Sequence, residues 1–391
     1  MFSVLPLAWY CRADFAERLG SSSSASQYRK QARAASPEYV FPFQWEMATV
    51  LGRAIFADPQ DSRAPYLLGN LLFDSQPAEA VKLWETSVRL DPSFPVAHRN
   101  LAMAYAHQKP APDLAKAIAE LETAVAAPRK YPLHFAELDE LYARTGAPAE
   151  KRLALLEKNH AVVAQRDDAL SREIGLKIFA GKYDEAIRLM TGRKFSVWEG
   201  GSLDVTDHWV DAHLLRGRKR LAAREFQAAL QDFRTAQATP ENLPTERELG
   251  RDAELKYWLG TVNEALGAAD QAQAAWGSAA ESQSSRRERR GGLSRNLAQN
   301  YYRGLALRKL GKNAEAETAF RDLLESAKSV PAQSEKSEET QAARSRGAFA
   351  HYVAGLGHLG LGDSAAAQSE FEAALKSAPD LLGAKAELIG P

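Results

Sequence analysis

The chain has 391 residues, with 50 Lys+Arg balanced by 50 Asp+Glu and a single Cys. Zero net charge removes the basic footprint of a general nucleic-acid binder, one Cys excludes a disulfide framework or a Cys-rich metal cluster, and 45% hydrophobic residues with 9% aromatics mark a core-forming chain. No run reaches the ~18 apolar residues of a membrane span; Phe2 to Cys11 is apolar but lacks a basic start and a small-residue cleavage site, so the chain reads as cytoplasmic.

The first predicted element is a helix from Leu5 to Leu19 with an apolar face of Leu7, Ala8, Tyr10, Cys11, Phe15 and Leu19. From about residue 62 a pattern recurs: a small residue, an Ala about a dozen on, a large apolar residue four later, and a small one after that. It starts as Gly69, Ala80, Trp84 and Ser87, closed by Pro92, and continues as Ala102, Ala117, Leu121 and Ala124. A degenerate copy surrounds Leu138, Tyr142, Gly146, Leu153 and Leu156, and Gly175, Ala186 and Met190 follow. Four copies then share one spacing: Gly217/Ala229/Phe233/Ala236, Gly260/Ala272/Trp276/Ala279, Gly304/Ala316/Phe320/Leu323 and Gly355/Ala367/Phe371/Ala374.

Each copy reads as two antiparallel helices, each too short to be stable alone. The small residue on the first helix permits close approach of the second, and the aromatic is a knob that fills the gap to the next unit. Gly267, Gly311 and Gly362 supply turn breakers, while Asp91-Pro92 and Ala378-Pro379 close units, because the residue before Pro leaves the helical region.

With Leu68-Gly69 and Leu259-Gly260 as opening pairs, this spacing is identified as the tetratricopeptide repeat (TPR). The implied fold class is all-α, a right-handed α-solenoid of helix–turn–helix repeats. Residues 1–61 are N-terminal capping helices, 62–380 about eight repeats, and 381–391 a C-terminal cap or tail. The pitch is longer than the usual ~34 residues, at 43 from Gly217 to Gly260, 44 to Gly304 and 51 to Gly355. The excess lies in two surface excursions, 282–294 and 326–347.

Tyr39-Val40-Phe41-Pro42-Phe43, Tyr66-Leu67-Leu68-Gly69-Asn70, Phe195-Ser196-Val197-Trp198-Glu199-Gly200-Gly201, Tyr257-Trp258-Leu259-Gly260 and Tyr302-Arg303-Gly304 add a second resemblance. Together they are similar to the C-terminal TPR region of large bacterial proteins that carry an N-terminal β-rich domain linked to carbohydrate chemistry. No β-rich domain is present here, so the expectation is a stand-alone homologue of that tail or a fragment, and no activity of that domain carries over.

Catalytic signals are false or absent, and no enzyme activity, cofactor or metal is expected. Gly355-Leu356-Gly357-His358-Leu359-Gly360 satisfies a dinucleotide pattern, yet has no strand before it and no helix opening at it. Asp204, Asp207, His208 and Asp211 could hold a divalent ion, but read better as an acidic first helical turn facing the helix dipole. The cluster Arg286, Arg287, Arg289, Arg290 and Arg295 reads as a solvated loop.

Stacked units present their first helices on a concave face. That projection places Arg63, Tyr66, Asn70 and Phe73, then Arg99, Asn100, Met103 and His107, then Glu254, Tyr257 and Glu264, then Tyr301, Phe349 and Tyr352 in a groove. Asn70 and Asn100 resemble two members of the carboxylate clamp by which some TPR domains hold a peptide C-terminus. Tyr66 and Leu133 stand where lysines would be needed, so a full clamp is not expected. Trp198 and Glu199, beside Gly200-Gly201, suit a polar ligand or a domain contact; the plain alternative is an inter-repeat turn. The function expected is a non-catalytic scaffold binding a protein or peptide. The alternative is a carbohydrate-associated module that assists a β-rich catalytic domain or holds a glycan on Tyr66, Asn70 and Trp198.

Overall fold

The computed structural model describes residues 5–38, 40–196, 204–244, 250–282, 296–329 and 341–389. Among them all regular structure is helical, and none of the helices is long and apolar enough to cross a membrane. Residues 1–141 and 142–391 form two compact units. The first contains α1 (Pro6–Arg18), α2 (Ser22–Ala34), α3 (Glu46–Ala57), α4 (Arg63–Leu72), α5 (Pro77–Leu90), α6 (Pro95–His107) and α7 (Leu114–Ala126), and the unit boundary falls inside α8 (Pro132–Arg144). The second continues with α9 (Ala149–Lys158), α10 (His160–Val163), α11 (Asp167–Phe179), α12 (Tyr183–Thr191), α13 (Val205–Ala222), α14 (Phe226–Ala236), α15 (Asp252–Ala265) and α16 (Ala269–Glu281). It ends with α17 (Asn296–Lys309), α18 (Asn313–Lys328), α19 (Gln341–Leu361), α20 (Ser364–Ser377) and α21 (Leu382–Ile389).

Helices pair as hairpins, α4 with α5, α6 with α7, α11 with α12, and so on to α19 with α20. A Cβ built on Gly69, Gly217, Gly260, Gly304 or Gly355 would lie under 3.0 Å from the ring of Trp84, Phe233, Trp276, Phe320 or Phe371 respectively. Each ring thus sits on the glycine of its own hairpin, where the sequence pattern placed it chiefly toward the next unit. It reaches that neighbour as well: Phe320 also lies against Gly360, and Phe233 stacks 6.1 Å from Trp258. Where the knob is Trp, its indole N–H finds a carbonyl three residues before the glycine. Trp84 Nε1 donates to Tyr66 O at 3.2 Å and Trp276 Nε1 to Tyr257 O at 3.3 Å. A buried indole needs such a partner, so the repeat accepts Trp or Phe at one position without leaving a polar atom stranded.

The turns follow one design. Gly181, Gly267, Gly311 and Gly362 have φ between +75° and +86°, and the next residue's N–H bonds back to Lys177, Asn263, Leu307 and His358 carbonyls at 2.9 Å. This caps the first helix of each pair by a 6→1 bond that needs a left-handed residue. After α13 the same bond, Glu225 N to Arg220 O at 2.8 Å, is made with Arg224 at φ +61°. Asp91 and Ala378 end α5 and α20 with φ/ψ near −137°/88°, as expected before Pro.

In the first unit the core gathers Tyr10, Leu51, Leu67, Trp84, Phe94 and Leu101. Tyr10 is 1% exposed and its hydroxyl donates to Asp61 Oδ2 at 2.7 Å, but of the face expected only Leu7, Tyr10 and Cys11 turn inward, and Ala8 is exposed. Phe15 and Leu19 do not turn inward either; they are 61% and 85% exposed. The buried side of α1 is Pro6, Tyr10, Ala13 and Ala16, and at about 100° per residue Phe15 and Leu19 fall on the far side of the helix. In the second unit α11, α13, α15, α17 and α19 touch in succession as one layer, with α12, α14, α16 and α18 wedged between their outer sides.

Two tests follow from the packing. Gly217→Ala should destabilise by about 1–3 kcal/mol, because Phe233 is fully buried and cannot yield. The same change at Gly277, where a Cβ meets nothing within 4 Å, should stabilise by about 0.5–1 kcal/mol. Urea midpoints of opposite sign would establish that the repeat glycines serve close approach. Arg224→Gly should likewise raise the midpoint, by about 0.5–1 kcal/mol, since it relieves a left-handed arginine.

Candidate functional site

The first helices of the first unit bring four of the expected groove residues together. Asn100 Nδ2 on α6 donates to Asn70 Oδ1 on α4 at 2.8 Å, and Trp84 Nε1 donates to the same oxygen at 3.1 Å. This fixes the Asn70 amide with its oxygen turned to two donors. Tyr66 lies one turn earlier, its ring 4.8 Å from Phe94, and burial pushes its phenol upward. Arg99 forks onto Glu137 of α8, with Nε 2.9 Å from Oε2 and Nη2 on Oε1. Burial would lower its pKa, but hydrogen bonds and charge from Glu137 outweigh that and hold the guanidinium firmly protonated. Glu137 carried no signal in the sequence, because a lone Glu on a repeat helix looks like solvated surface.

Two buried polar atoms here have no protein partner among the described residues: Arg63 Nη1 and His134 Nδ1. Arg63 stacks 3.7 Å over the Phe94 ring and reaches Asp91 at 3.4 Å, leaving one end of its fork unused. His134 is 3% exposed, and burial, aided by the Arg99 charge, drops its pKa from 6.5 to about 4.

The remaining expected residues are placed otherwise. Phe73 is 36% exposed and tilts against Trp84 at 5.1 Å, at the edge of the polar group. His107 stands exposed near the end of α6, bonded through Nδ1 to Met103 O of its own helix at 2.9 Å. It is not part of the assembly. Trp198 and Glu199, like the arginine cluster 286–295, lie outside the described residues. In the second unit Tyr257 is partly covered by Trp258 and Tyr302, at 5.3 and 6.0 Å. Tyr352 is 8% exposed, roofed by Gly383 of α21. The projection treated that inner face as open, but α21 occupies it.

The other motifs resolve into packing and ion pairs. Gly355, Gly357 and Gly360 lie within α19 against Phe371, Leu324 and Phe320, remote from any helix start. Asp211 pairs with Arg251, and the His208 ring packs against Gly175. Buried Asp232 receives His213 at 3.0 Å, Arg216 and Arg220.

Residues 72–132, from the end of α4 through α7, match the model of the tetratricopeptide repeat family. That stretch is TPR sequence within an all-α helical-repeat chain. Among solved structures, the chain is similar to YrrB, described as a TPR protein with an unusual peptide-binding site, at 18% identity over 48% of this chain and 91% of that one, TM-score 0.36. It is also similar to the TPR domain of P58(IPK), at 13% identity over 96% and 98% with TM-score 0.23. A third is the human IFIT1 dimer with PPP-AAAA, at 13% identity over 94% and 82% with TM-score 0.31.

An imidazole with its folded pKa near 4 stays neutral in the native state, while the unfolded chain takes up a proton below 6.5. Stability therefore falls as pH drops from 6.5 to 4, by up to about 3 kcal/mol from this group. His134→Gln should remove that component, seen as a smaller gap between urea midpoints at neutral pH and near pH 4. An unchanged gap would show that His134 is not titrating in this window.

Proposed function

We propose that this chain is a non-catalytic TPR scaffold that holds a protein or peptide partner on the inner face of its first unit. The observation that carries the proposal is the Trp84–Asn70–Asn100 hydrogen-bond ladder that links α5, α4 and α6. An extended peptide offers alternating N–H and C=O groups. A rigid row of amides meets both kinds, because each amide carries donors and acceptors. Pre-orientation by Trp84 lowers the entropy lost on binding. The partly exposed Phe73 ring gives an apolar contact at one end.

No observation favours the carbohydrate-associated alternative. It required exposed aromatics beside amides, whereas Tyr66 is 6% exposed and Trp198 lies outside the described residues. Arg99 is also a weaker ligand group than the sequence implied, since Glu137 occupies its fork.

Asn100→Ala tests the proposal with little risk to the fold, because Trp84 still holds Asn70. Pull-down from the source lysate with wild type should recover a partner that Asn100→Ala binds about tenfold more weakly, the worth of a hydrogen bond or two. Circular dichroism should show equal helicity for both proteins. Equal recovery of every captured protein by both would remove this face from consideration.

A further inference from the structure

In the second unit the inner layer already holds a ligand of a kind, and it comes from the chain itself. Helix α21 has eight residues, far below the length at which a helix is stable alone. Its shape therefore depends on what it touches. Ala384 is fully buried within the cluster of Tyr301, Tyr302 and Tyr352. A Cβ on Gly383 would lie 2.7 Å from the Tyr352 ring, so the backbone of α21 rests directly on that ring. On another side Leu382 packs against the Leu170–Ile174–Ile178 cluster, and Lys385 Nζ sits 3.7 Å from the Phe179 ring centroid. One short helix thus bridges α11 and α19, which are four hairpins apart.

The contact is specific in charge as well as in shape. Arg218 of α13 is 5% exposed, stacked 4.9 Å from the Trp258 ring, and pairs with Glu387 Oε1 at 2.8 Å. A guanidinium so deeply placed needs a carboxylate to offset the loss of water. Burial alone would lower its pKa, and Glu387 is the first compensating charge, leaving it raised overall. If α21 left, Arg218 would face an opened cleft with aromatic walls and no directly bonded carboxylate. The linker to α20 is short and separately latched: Asp380 Oδ2 accepts from Arg152 of α9 at 3.0 Å, and Pro379 lies beside Gly146. The chain just before α21 is thus held by contacts other than those of Gly383, Ala384 and Glu387.

We propose that the inner face of the second unit is a binding site for a short helix that presents one carboxylate to Arg218, kept closed by α21, which a partner helix with the same features displaces. Those features are small residues one turn ahead of a carboxylate, matching Gly383-Ala384 and Glu387, with an apolar residue at the Leu382 position. The small residues let the backbone approach the tyrosines, and the carboxylate neutralises Arg218. This site is separate from the amide ladder of the first unit and stands or falls without it.

The test uses the full chain and a fluorescein-labelled peptide of residues 378–391. The double variant Gly383→Leu/Glu387→Lys should expel α21, because Leu collides with Tyr352 and Lys faces Arg218. Anisotropy should then show saturable peptide binding to this variant and at least about tenfold weaker binding to wild type, whose site is filled in cis. Adding Arg218→Gln to the variant should weaken the peptide by about tenfold or more. Equal binding by wild type and variant, or none by a variant of unchanged helicity, overturns the proposal. Should the variant lose helicity, hydrogen exchange on wild type decides. Excess unlabelled peptide should speed exchange of the 382–389 amides while those of α15 stay protected, and unaltered exchange at 382–389 overturns the proposal.

Discussion

The architecture depends on one contact repeated along the chain, an aromatic ring laid on a glycine of the preceding antiparallel helix. Five such pairs are visible, from Gly69–Trp84 to Gly355–Phe371. Each ring is 4% exposed or less, and burying one contributes about 2–3 kcal/mol. The exposed ion pairs on the outer helices, such as Lys82–Glu79 and Lys328–Glu325, contribute at most about 1 kcal/mol each. The knobs therefore decide the spacing of helices, and the charges decorate it. Because the glycine removes the Cβ that would separate the helices, the second helix sits close enough for its ring to reach the following unit as well. One contact thereby sets both the hairpin and the stack.

Much of this was legible in the sequence, for a physical reason. A glycine that must meet a ring fifteen or sixteen residues later leaves a near-fixed spacing, and a turn that needs positive φ leaves a glycine. The helix pairs, their turns and the Pro closings were all visible in that way. Arg224 escaped because it makes the same turn without the residue that marks it. Phe15 and Leu19 misled because the face was drawn through the large apolar residues, whereas the buried side of α1 pairs Tyr10 with the small Ala13 and Ala16.

The candidate site was legible only in part. Projection of first helices put Tyr66, Asn70 and Arg99 on adjoining helices, and the clamp comparison added Asn100, since helix faces follow from register. It could not show that Arg99 is engaged by Glu137, or that His107 turns back onto its own helix. Nor could it show that the tyrosines of the second unit are covered. Partners of 38 or 169 residues' separation, as in Arg99–Glu137 and Arg218–Glu387, follow from the path of the chain in space. No local pattern encodes them.

The balanced charge takes on a different meaning once those partners are known. Fifty cations against fifty anions spoke in the sequence only against a general nucleic-acid binder. Several of these charges are inside: Arg218 with Glu387, Arg251 with Asp211 and Glu254, Asp232 with His213, Arg216 and Arg220. Hydrophobic replacements of similar volume could serve stability as well or better, because desolvation consumes most of what such pairs gain. What a buried pair supplies is discrimination, since removing either member strands the other. The two units differ in how they use this. In the first, Arg63 and His134 each bury a polar atom that has no partner among the described residues. In the second, the buried cation is already answered by a carboxylate on the chain's own last helix. An inner face whose recognition groups are satisfied from within binds only what can answer Arg218 as well as Glu387 does, so its selectivity is set by α21 itself.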